Sequence, residues 1–559
     1  MHTVVRAPPA SAARNVSRAC HRVLPRPKRR SLSAQVRIPA DESVAHEVSV
    51  RADRESAEPR TVLALPLAGL LLAGVPLSVP AAAEDLRIEH VTVVSPERSR
   101  SLPDVDVTVR EGRIVAVVAA AKEAARPPVA TTISGRGLYL VPGLIDSHVH
   151  LGAIPGMTEE QERAHPDIAH AAREQIPRSY LYFGFTTLID LISTPQEMAR
   201  WRSYDPAPDT YYCGGAALMD GYPMNYLPKP QRYTAMPYML VEPREGMALP
   251  PGVDPAAHSP QAVVARMKSD GAICVKTFFE RGFGGVHDLP VPRPETIRSL
   301  VDAAHAAGLP VLLHANSAEA QTFGLDTGVD ILAHGLWNAD ETAAPGELTP
   351  AVNSILDRVV STQVGWQPTL QVLYGLQDLF NKEFLSDPML PRVLPRALID
   401  WYGTSEGQWF RNVVAADIPG ADPGAALRRG LAVGIGRAAA ASGYLAKHGA
   451  RWLFGTDTPS APTYANPPGL NAWMEMHRLI DAAVTPAQIF EAATLRNARA
   501  LKLDHEIGTV EVGKRANLLL VPADPRQTVQ AYAGIVKVIL GGRVLDPATL
   551  AANRPALNP

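Results

Sequence analysis

Hydrophobic and polar residues alternate in short segments at both ends of a long middle region. "LRIEHVTVV", "VDVTVREGRIVAVV" and "GLYLVPGLID" follow one another from residue 84, and "ANLLLVPAD" and "VKVILGGRVLD" lie near the C-terminus. A period of two with glycine turns predicts half-buried strands. We therefore expect residues 84–140 and 501–550 to form one small β-sandwich domain, built from both ends of the mature chain.

The middle region has a different pattern, in which short apolar runs alternate with Ala-rich segments of helical period. "DGAICVKTFF" is followed by "TIRSLVDAAHAAGLPVLLHAN" and then by "TGVDILAHG". Strands that alternate with helices form βαβ units and a parallel sheet. We assign residues 141–500, a length sufficient for the fold, to a (β/α)8 TIM-type barrel with insertions. The predicted fold class is α/β.

Two segments of the middle region are longer than ordinary connections between barrel strands. Residues 201–260 are rich in Tyr, Pro and Met, and residues 375–447 contain helical patterns such as "RRGLAVGIGRAAAASGYLAKHG". Connections of this length in compact domains are commonly lids or binding loops. The alternative is that they pack on the outside of the barrel. We expect these lid-like insertions to shape the substrate site.

The first 83 residues differ in composition from the rest. Residues 1–60 are rich in Arg, Pro, Ala and Ser without a periodic apolar pattern, which predicts disorder, and a translation start assigned too far upstream would also explain them. Residues 61–83 are uncharged and apolar and end in "PAAA", which is typical of a signal peptide cleaved before Glu84. The alternative is an N-terminal membrane anchor, because the stretch approaches spanning length. We expect an exported protein, periplasmic or extracellular, with no stable membrane span after cleavage.

Charge and cysteine content exclude several classes of protein. The formal net charge is -2, so no basic surface indicates a nucleic-acid partner. The three cysteines, Cys20, Cys213 and Cys274, are too few for a disulfide scaffold and lack the CxxC spacing of sulfur-bound zinc. We expect Cys213 and Cys274 to be small buried hydrophobic side chains.

Polar side chains end the predicted barrel strands one after another. The runs "LVPGLIDSHVH", "GAICVK", "LPVLLH", "VDILAH" and "RWLFGTD" end in His148 with His150, Lys276, His314, His334 and Asp457. Residues two apart on a strand face the same side, so His148 and His150 can reach one ion. Each residue alone would more often be structural, such as a helix-capping aspartate. Because barrel active sites lie where the strands end, the whole set predicts a metal site.

This order of strand-end residues resembles the amidohydrolase superfamily of metal-dependent hydrolases. The resemblance covers most of residues 85–545: "GRGLYLVPGLIDSHVHLG" is similar to the signature of the first barrel strand, and "TPAQIFEAATLRNARALKLDHEIGTVEVGKRANLLLVPADP" to the return into the β-domain. "VLLHANSAEAQTFGLDTGVDILAHG" and "WQPTL" look most like the imidazolonepropionase-like and Xaa-Pro dipeptidase-like branch. The sequence departs from that branch at Ile273 and Ala333, where acidic residues are common.

The resemblance implies a centre of two divalent ions, with zinc as the expected metal. His148, His150 and Asp457 would hold one ion, and His314 and His334 the other. A protonated Lys276 would repel both ions, whereas its neutral amine can add carbon dioxide. The resulting carboxylated lysine, which this branch uses, would bridge the pair. A hydroxide shared by the ions would attack a carbonyl, and Asp457 would transfer its proton as base and then acid.

The activity that these residues imply is hydrolysis of an amide-type C–N bond in a small molecule. Candidate substrates are a dipeptide, an N-acyl amino acid or a cyclic amide. The alternative enzyme is a lactonase, esterase or organophosphate hydrolase on the same metal pair. A deaminase of this fold generally uses one ion without a bridging lysine, so Lys276 disfavours it. A third class is a non-enzymatic interaction protein that keeps the fold. A homo-oligomer is compatible with each of these.

Overall fold

The structure is a computed structural model that describes residues 85–120, 128–232, 237–242, 244, 249, 251–283, 286–339, 342–418, 420–460 and 462–553. These residues belong to one compact unit, Ser78–Pro559. The predicted extension 1–60 and the predicted signal peptide 61–83 lie outside the described residues. Within the described part of the chain, every helix is too short or too polar to cross a membrane.

The strands and helices alternate as the sequence predicts for the middle region. The strands are β1 Leu86–Val93, β2 Leu102–Arg110, β3 Arg113–Ala119, β4 Thr131–Ser134, β5 Tyr139–Pro142, β6 Leu144–Val149, β7 Phe185–Asp190, β8 Asp209–Ala216, β9 Cys274–Phe278, β10 Val311–His314, β11 Ile331–Ala333, β12 Gly365–Gln367, β13 Leu518–Val521, β14 Lys537–Leu540 and β15 Arg543–Leu545. The helices are α1 Glu159–Ala164, α2 Pro166–Tyr182, α3 Pro195–Trp201, α4 Lys229–Arg232, α5 Pro260–Ser269, α6 Pro294–Ala306, α7 Ala318–Thr327, α8 Pro350–Thr362, α9 Gln371–Asp378, α10 Leu390–Val393, α11 Arg396–Tyr402, α12 Trp409–Ala416, α13 Pro423–Lys447, α14 Leu470–Asp481, α15 Pro486–Glu491, α16 Asn497–Ala500 and α17 Pro547–Leu550.

Strands from both ends of the described chain form a single sheet. Its order is β15-β14-β13-β5-β1-β2-β3, and β4 pairs with β1. The two ends meet where β13 runs antiparallel to β5, with Leu520 opposite Leu140. This agrees with the expectation that both ends build one β-region. The expected sandwich is not confirmed, because the hydrogen bonds join these strands into one sheet rather than two facing sheets.

The middle region contains a curled, parallel sheet of seven strands. Its order, β12-β11-β10-β9-β8-β7-β6, follows the chain from one edge to the other. Helices such as α2, α5, α6, α7 and α8 connect successive strands. Each strand is buried, which explains why the sequence shows continuous apolar runs here instead of alternation. The mixed α/β fold with this parallel sheet is the coarse architecture that the sequence predicts.

Residues 451–458, where the eighth barrel strand was expected, form an irregular segment that lies between the two edges of the sheet. On one side, the amide of Leu453 donates to the carbonyl of Trp366 at 2.9 Å. On the other side, the amide of Asp457 donates to the carbonyl of His148 at 2.7 Å. Residues 451–458 therefore connect β12 to β6. The C-terminal end of this segment, which carries Asp457, lies beside the end of the first barrel strand.

Buried side chains fasten this segment to β6. The carboxylate of Asp146 accepts from the hydroxyl of Thr456 at 2.6 Å and from its amide at 3.1 Å. Asn497 donates to the carbonyl of Phe454 at 2.7 Å and to that of Ile145 at 2.9 Å. Since these groups are buried, their hydrogen bonds replace the regular ladder that a short strand would provide.

A disulfide joins Cys213 of β8 to Cys274 of β9 inside the barrel, which corrects the expectation for these residues. Both are fully buried, as expected, but they are not independent small side chains. The two strands pair in parallel with Cys213 directly opposite Cys274, so the Cα atoms lie 4.4 Å apart. Sequence spacing could not show this pairing, because a chain of 61 residues separates the two cysteines.

We expect the Cys213→Ala/Cys274→Ala double variant to be less stable by about 4 kcal/mol, because the crosslink restricts the unfolded chain over a long loop. Urea denaturation of the wild-type protein and the variant measures this difference. Unfolded, unreduced wild-type protein should also present no reactive thiol from either residue. Cys20→Ser, which removes the remaining thiol, is the control. Two additional reactive thiols, or equal midpoints, would contradict the crosslink.

Candidate active site

The residues predicted for the metal site lie at the C-terminal ends of the parallel strands. His148 and His150 end β6, His314 is the last residue of β10, and His334 directly follows β11. Lys276 lies within β9, and Asp457 ends the irregular segment. The side chains are buried, except that the His150 side chain keeps 26% of its exposure. The fold therefore gathers the predicted side chains at one end of the barrel.

The carboxylate of Asp457 lies at the centre of this group. Its Oδ1 is 3.0 Å from Nε2 of His148 and 2.9 Å from Nε2 of His150. Its Oδ2 is 3.9 Å from Nδ1 of His334. Ligand atoms of His148, His334 and Asp457 all lie within 4.8 Å of one another, close enough to hold one metal ion.

His314 extends the group on the other side of His334. Their ring centroids are 4.4 Å apart. Nε2 of His314 lies 3.3 Å from Oε2 of Glu280, and the amide of Asn316 donates to the same oxygen at 2.6 Å. Glu280 was not among the residues predicted from the sequence. Its position, at the end of the apolar run "ICVKTFF" that carries Lys276, was a usable signal.

Two further side chains orient the imidazoles and were also missed. Oε1 of Gln367 lies 3.2 Å from Nδ1 of His148, and Oγ1 of Thr369 lies 3.0 Å from Nδ1 of His334. Both residues come from "WQPTL", which the sequence analysis used only as a family signature. A hydrogen bond to one ring nitrogen fixes the orientation of the other nitrogen, as in metal sites.

The backbone is left-handed at three residues of this site. His334, Thr369 and Asp457 have φ values of 78°, 46° and 58°. Residues with side chains rarely adopt this region, and each such residue costs of the order of 1 kcal/mol or more. Strain of this kind concentrates at functional sites, because the surrounding structure holds side chains in directions that relaxed strands do not give.

Burial sets the protonation states of the group. Burial, followed by the charge of Lys276, lowers the pKa of His148 to about 3. Burial also lowers the pKa of His314 and, strongly, that of His334. Burial alone would raise the pKa of Asp457, but the neighbouring imidazoles hold it well below its usual value. At neutral pH these groups are neutral imidazoles and a carboxylate, the forms that bind metal ions.

The donor atoms fit divalent metal ions. Nζ of Lys276 is buried without a hydrogen-bond partner in the described part of the chain. Burial lowers the pKa of Lys276 to about 7, so much of the amine is neutral near that pH. Buried polar atoms without partners are rare in folded proteins. Imidazole nitrogen and carboxylate oxygen are ligands of zinc and similar ions, which would satisfy these atoms.

A cavity of about 560 Å³ opens onto His314 and Asp457. Residues of the 201–260 segment and of the 375–447 segment form much of its wall. The described lining residues are Tyr222, Pro223, Tyr226, Phe283, His314, Trp337, Asn338, Val372, Leu373, Leu376, Phe410, Gly430, Leu431, Gly434, Asp457, Ser460 and Pro462. This volume is within the range of small-molecule sites.

Comparison with known proteins shows what this chain is similar to. The amidohydrolase family matches residues 431–545. The fold is similar to that of a Xaa-Pro dipeptidase with bound methionine in its active site, with a TM-score of 0.55, 18% identity, and coverage of 83% of this chain and 100% of that chain. It is similar to molinate hydrolase, with a TM-score of 0.57, 16% identity, and coverage of 86% and 97%. For ochratoxinase of A. niger the TM-score is 0.55, the identity 18%, and the coverage 85% and 97%. No curated protein matches the sequence.

The match to the amidohydrolase family covers residues 431–545, and the fold of the chain is similar to that of the solved hydrolases named above. The identities to the solved structures are low, so that likeness establishes the fold and leaves the substrate open.

Helix α9, which carries Val372, Leu373 and Leu376 of the cavity wall, is held at its N-terminus by a buried carboxyl group. Oε1 and Oε2 of Glu475 accept from the amides of Leu370 and Gln371 at 2.9 and 2.6 Å. Burial raises the pKa of Glu475 from 4.5 to about 7. The folded protein therefore binds a proton here that the unfolded chain releases between these values.

We expect the free energy of unfolding to fall as the pH rises from about 4.5 to about 7, by about 3 kcal/mol from this group at roughly 1.4 kcal/mol per pKa unit. Glu475→Gln, which imitates the protonated form, should remove that contribution. Chemical denaturation at pH 5 and pH 8 measures it, with Glu295→Gln on the exposed surface as the control. Parallel pH dependences for the wild-type protein and Glu475→Gln would refute the assignment.

Proposed function

We propose that this protein hydrolyses amide-type C–N bonds of small molecules. It would use two divalent metal ions for this reaction, with zinc as the expected metal. The observation that carries the proposal is the Asp457 carboxylate among the imidazoles of His148, His150 and His334, at one end of a small-molecule cavity. The match of residues 431–545 to the amidohydrolase family supports the hydrolase class. All of the expected ligand-type side chains are present, which favours an enzyme over an interaction protein that keeps only the fold.

His148, His150 and Asp457 would hold one ion, and His314 and His334 the other. Bound ions of this kind supply hydroxide at neutral pH and polarise a carbonyl group. Lys276 would bridge them as a carbamate. Its neutral amine would add carbon dioxide and release a proton, and the product would present two oxygens that share one negative charge. The burial of Lys276 and its lack of a hydrogen-bond partner among the described residues support this assignment.

The chain's own groups position the reactants and move the proton. Asp457, which is ionised at neutral pH, would accept the proton of the attacking water and pass it to the leaving nitrogen. Glu280, Gln367 and Thr369 would keep His314, His148 and His334 in the required orientations. The mostly apolar cavity would exclude bulk water from the reacting bond.

We also propose that the protein is exported, after cleavage of the predicted signal peptide 61–83. The disulfide between Cys213 and Cys274 supports this location, because such crosslinks persist in oxidising compartments and are rare in the cytosol.

Asp457→Asn tests the proton transfer. The amide cannot accept a proton, so kcat should fall by about a hundredfold or more. Steady-state kinetics on N-acyl amino acids, dipeptides, cyclic amides, anilides and lactones measures the loss on whichever substrate is turned over. Asp302→Asn, exposed on α6, is the control and should keep wild-type kcat. Near-normal turnover by folded Asp457→Asn would show that Asp457 is structural.

Lys276→Ala tests the bridge. Wild-type protein reconstituted with zinc and bicarbonate should bind close to two ions per chain, and less without bicarbonate. Lys276→Ala should lose metal and activity together, with partial recovery in a short carboxylate such as propionate. Elemental analysis gives the metal content, and Lys268→Ala, exposed on α5, is the control. A Lys276→Ala protein with two ions and full activity would overturn the assignment.

A further inference from the structure

We infer that the cavity takes an electrically neutral amide with an apolar or aromatic group, and not a dipeptide or N-acyl amino acid with a free carboxylate. This inference rests on the proposed amide hydrolysis and names its substrate class. The observations are the side chains of the cavity wall, their distances from the predicted ligands, and the sign of the charges around them.

Aromatic rings begin directly beside the predicted metal ligands. The ring of Tyr222 lies 4.9 Å from that of His314, and Trp337 lies 4.8 Å from His334. Phe283 packs 5.6 Å from Tyr222 and continues the same wall. A group attached close to the scissile carbonyl would therefore contact aromatic carbon. Flat apolar groups gain most from such surfaces.

A further part of the wall is aliphatic and comes from the helices of the 375–447 segment and its flank. α9 provides Val372, Leu373 and Leu376, and α13 provides Leu431. Gly430 of α13 is an exposed lining residue and so lies at the mouth, where a methyl group added to its Cα would meet no atom within 4 Å apart from the backbone of its own helix. The cavity thus has aromatic and aliphatic walls and free space beside Gly430. A substrate with an extended apolar group fits this shape.

The charges at the cavity are unfavourable for a carboxylate. Among the described lining residues there is no lysine or arginine, and the acidic residue is Asp457. Glu280 adds a second carboxyl group behind His314. A buried carboxylate without a cationic partner is costly. The ions proposed for this site would lie at the scissile carbonyl, so they would not pair with an acid group placed elsewhere on the substrate.

Two arginines of the segments that form the wall are engaged by other groups. Arg281 binds the carboxylate of Glu319 through two hydrogen bonds of 2.9 and 2.7 Å. Arg437, buried beneath the wall, donates to the carbonyl of Trp337 at 2.8 Å. The polar lining groups outside the ligands are all neutral: the side chains of Asn338 and Ser460, the hydroxyls of Tyr222 and Tyr226, and the indole N–H of Trp337. These neutral groups can orient an uncharged amide through hydrogen bonds.

A matched pair of anilides tests the inference: 4-methylacetanilide and 4-acetamidobenzoate contain the same acetyl–nitrogen bond and differ in charge. We expect zinc-reconstituted protein to hydrolyse the methyl compound with a kcat/KM at least a hundredfold higher. The para carboxylate does not make the anilide nitrogen a poorer leaving group, so intrinsic reactivity does not favour this result. Equal values, or a preference for 4-acetamidobenzoate, would overturn the inference and leave the proposed amide hydrolysis standing.

Binding separates the two proposals if neither anilide is hydrolysed. Quenching of tryptophan fluorescence, which includes Trp337 of the wall, reports occupancy without turnover. Tighter binding of 4-methylacetanilide would support the neutral-ligand cavity even if amide hydrolysis failed. Tighter binding of 4-acetamidobenzoate, or no difference between the two, would overturn the inference.

Gly430→Leu tests the place of binding. The new side chain would occupy the cavity mouth, so KM for 4-butylacetanilide should rise about tenfold while KM for acetanilide changes little. Metal content should equal that of the wild-type protein, because Gly430 contacts none of the predicted ligands. Ala306→Leu, exposed on α6, is the matched control and should change neither KM. Equal effects of Gly430→Leu and the control would place the substrate elsewhere.

Discussion

Hydrogen bonds between residues 451–458 and both edges of the parallel sheet determine the geometry of the whole site. The amide of Asp457 donates to the carbonyl of His148, and the side chains of the same two residues meet at 3.0 Å. The pairing of the backbones therefore sets the approach of the carboxylate to the imidazole. Asp146 and Asn497 add buried hydrogen bonds that fasten the segment to β6. If this segment shifted by one residue, Asp457 would lose its position among the histidines.

The site combines several energetic costs in one place. His334 and Asp457 have left-handed backbones, and Lys276 is buried without a partner in the described part of the chain. Unpartnered groups in a low-dielectric interior are strongly destabilising unless a ligand satisfies them. The well-packed strands beneath the site, including the crosslinked pair β8 and β9, stabilise the fold and so offset these costs.

Much of the fold was predictable because its signals are local. Apolar residues alternate with a period of two in the terminal sheet, whereas the parallel sheet has short apolar runs separated by segments of helical period. Each strand-end residue follows its own apolar run. Other features depend on contacts between distant residues. The pairing of Cys213 with Cys274 follows from the register of two strands, and the left-handed φ of His334 follows from tertiary packing. Neither leaves a signal in the order of residues.

In the site too, some residues have a local signal in the sequence and others depend on contacts between distant residues. Lys276, His314 and His334 were predicted from sequence, because polar residues that end buried strands are conspicuous. Glu280 was missed, although it ends the run that carries Lys276, because its role appears only when His314 approaches to 3.3 Å. The helices of the 375–447 segment were expected to form a lid. Which of their side chains reach the cavity could not be inferred, since helical periodicity does not specify how a helix docks.

The sheet built from both ends of the chain constrains the order in which the protein can fold during synthesis. β5 pairs with β13, and Arg113 forms an ion pair with Glu506, 393 residues further along the chain. The first five strands can pair with one another early, but they leave the ribosome long before β13 exists, so the outer edge of β5 stays unpaired until then. Such an edge can bind other extended chains. A nascent chain of this design benefits from chaperones, or from a translocation pathway, that delay folding until the last strands have been made.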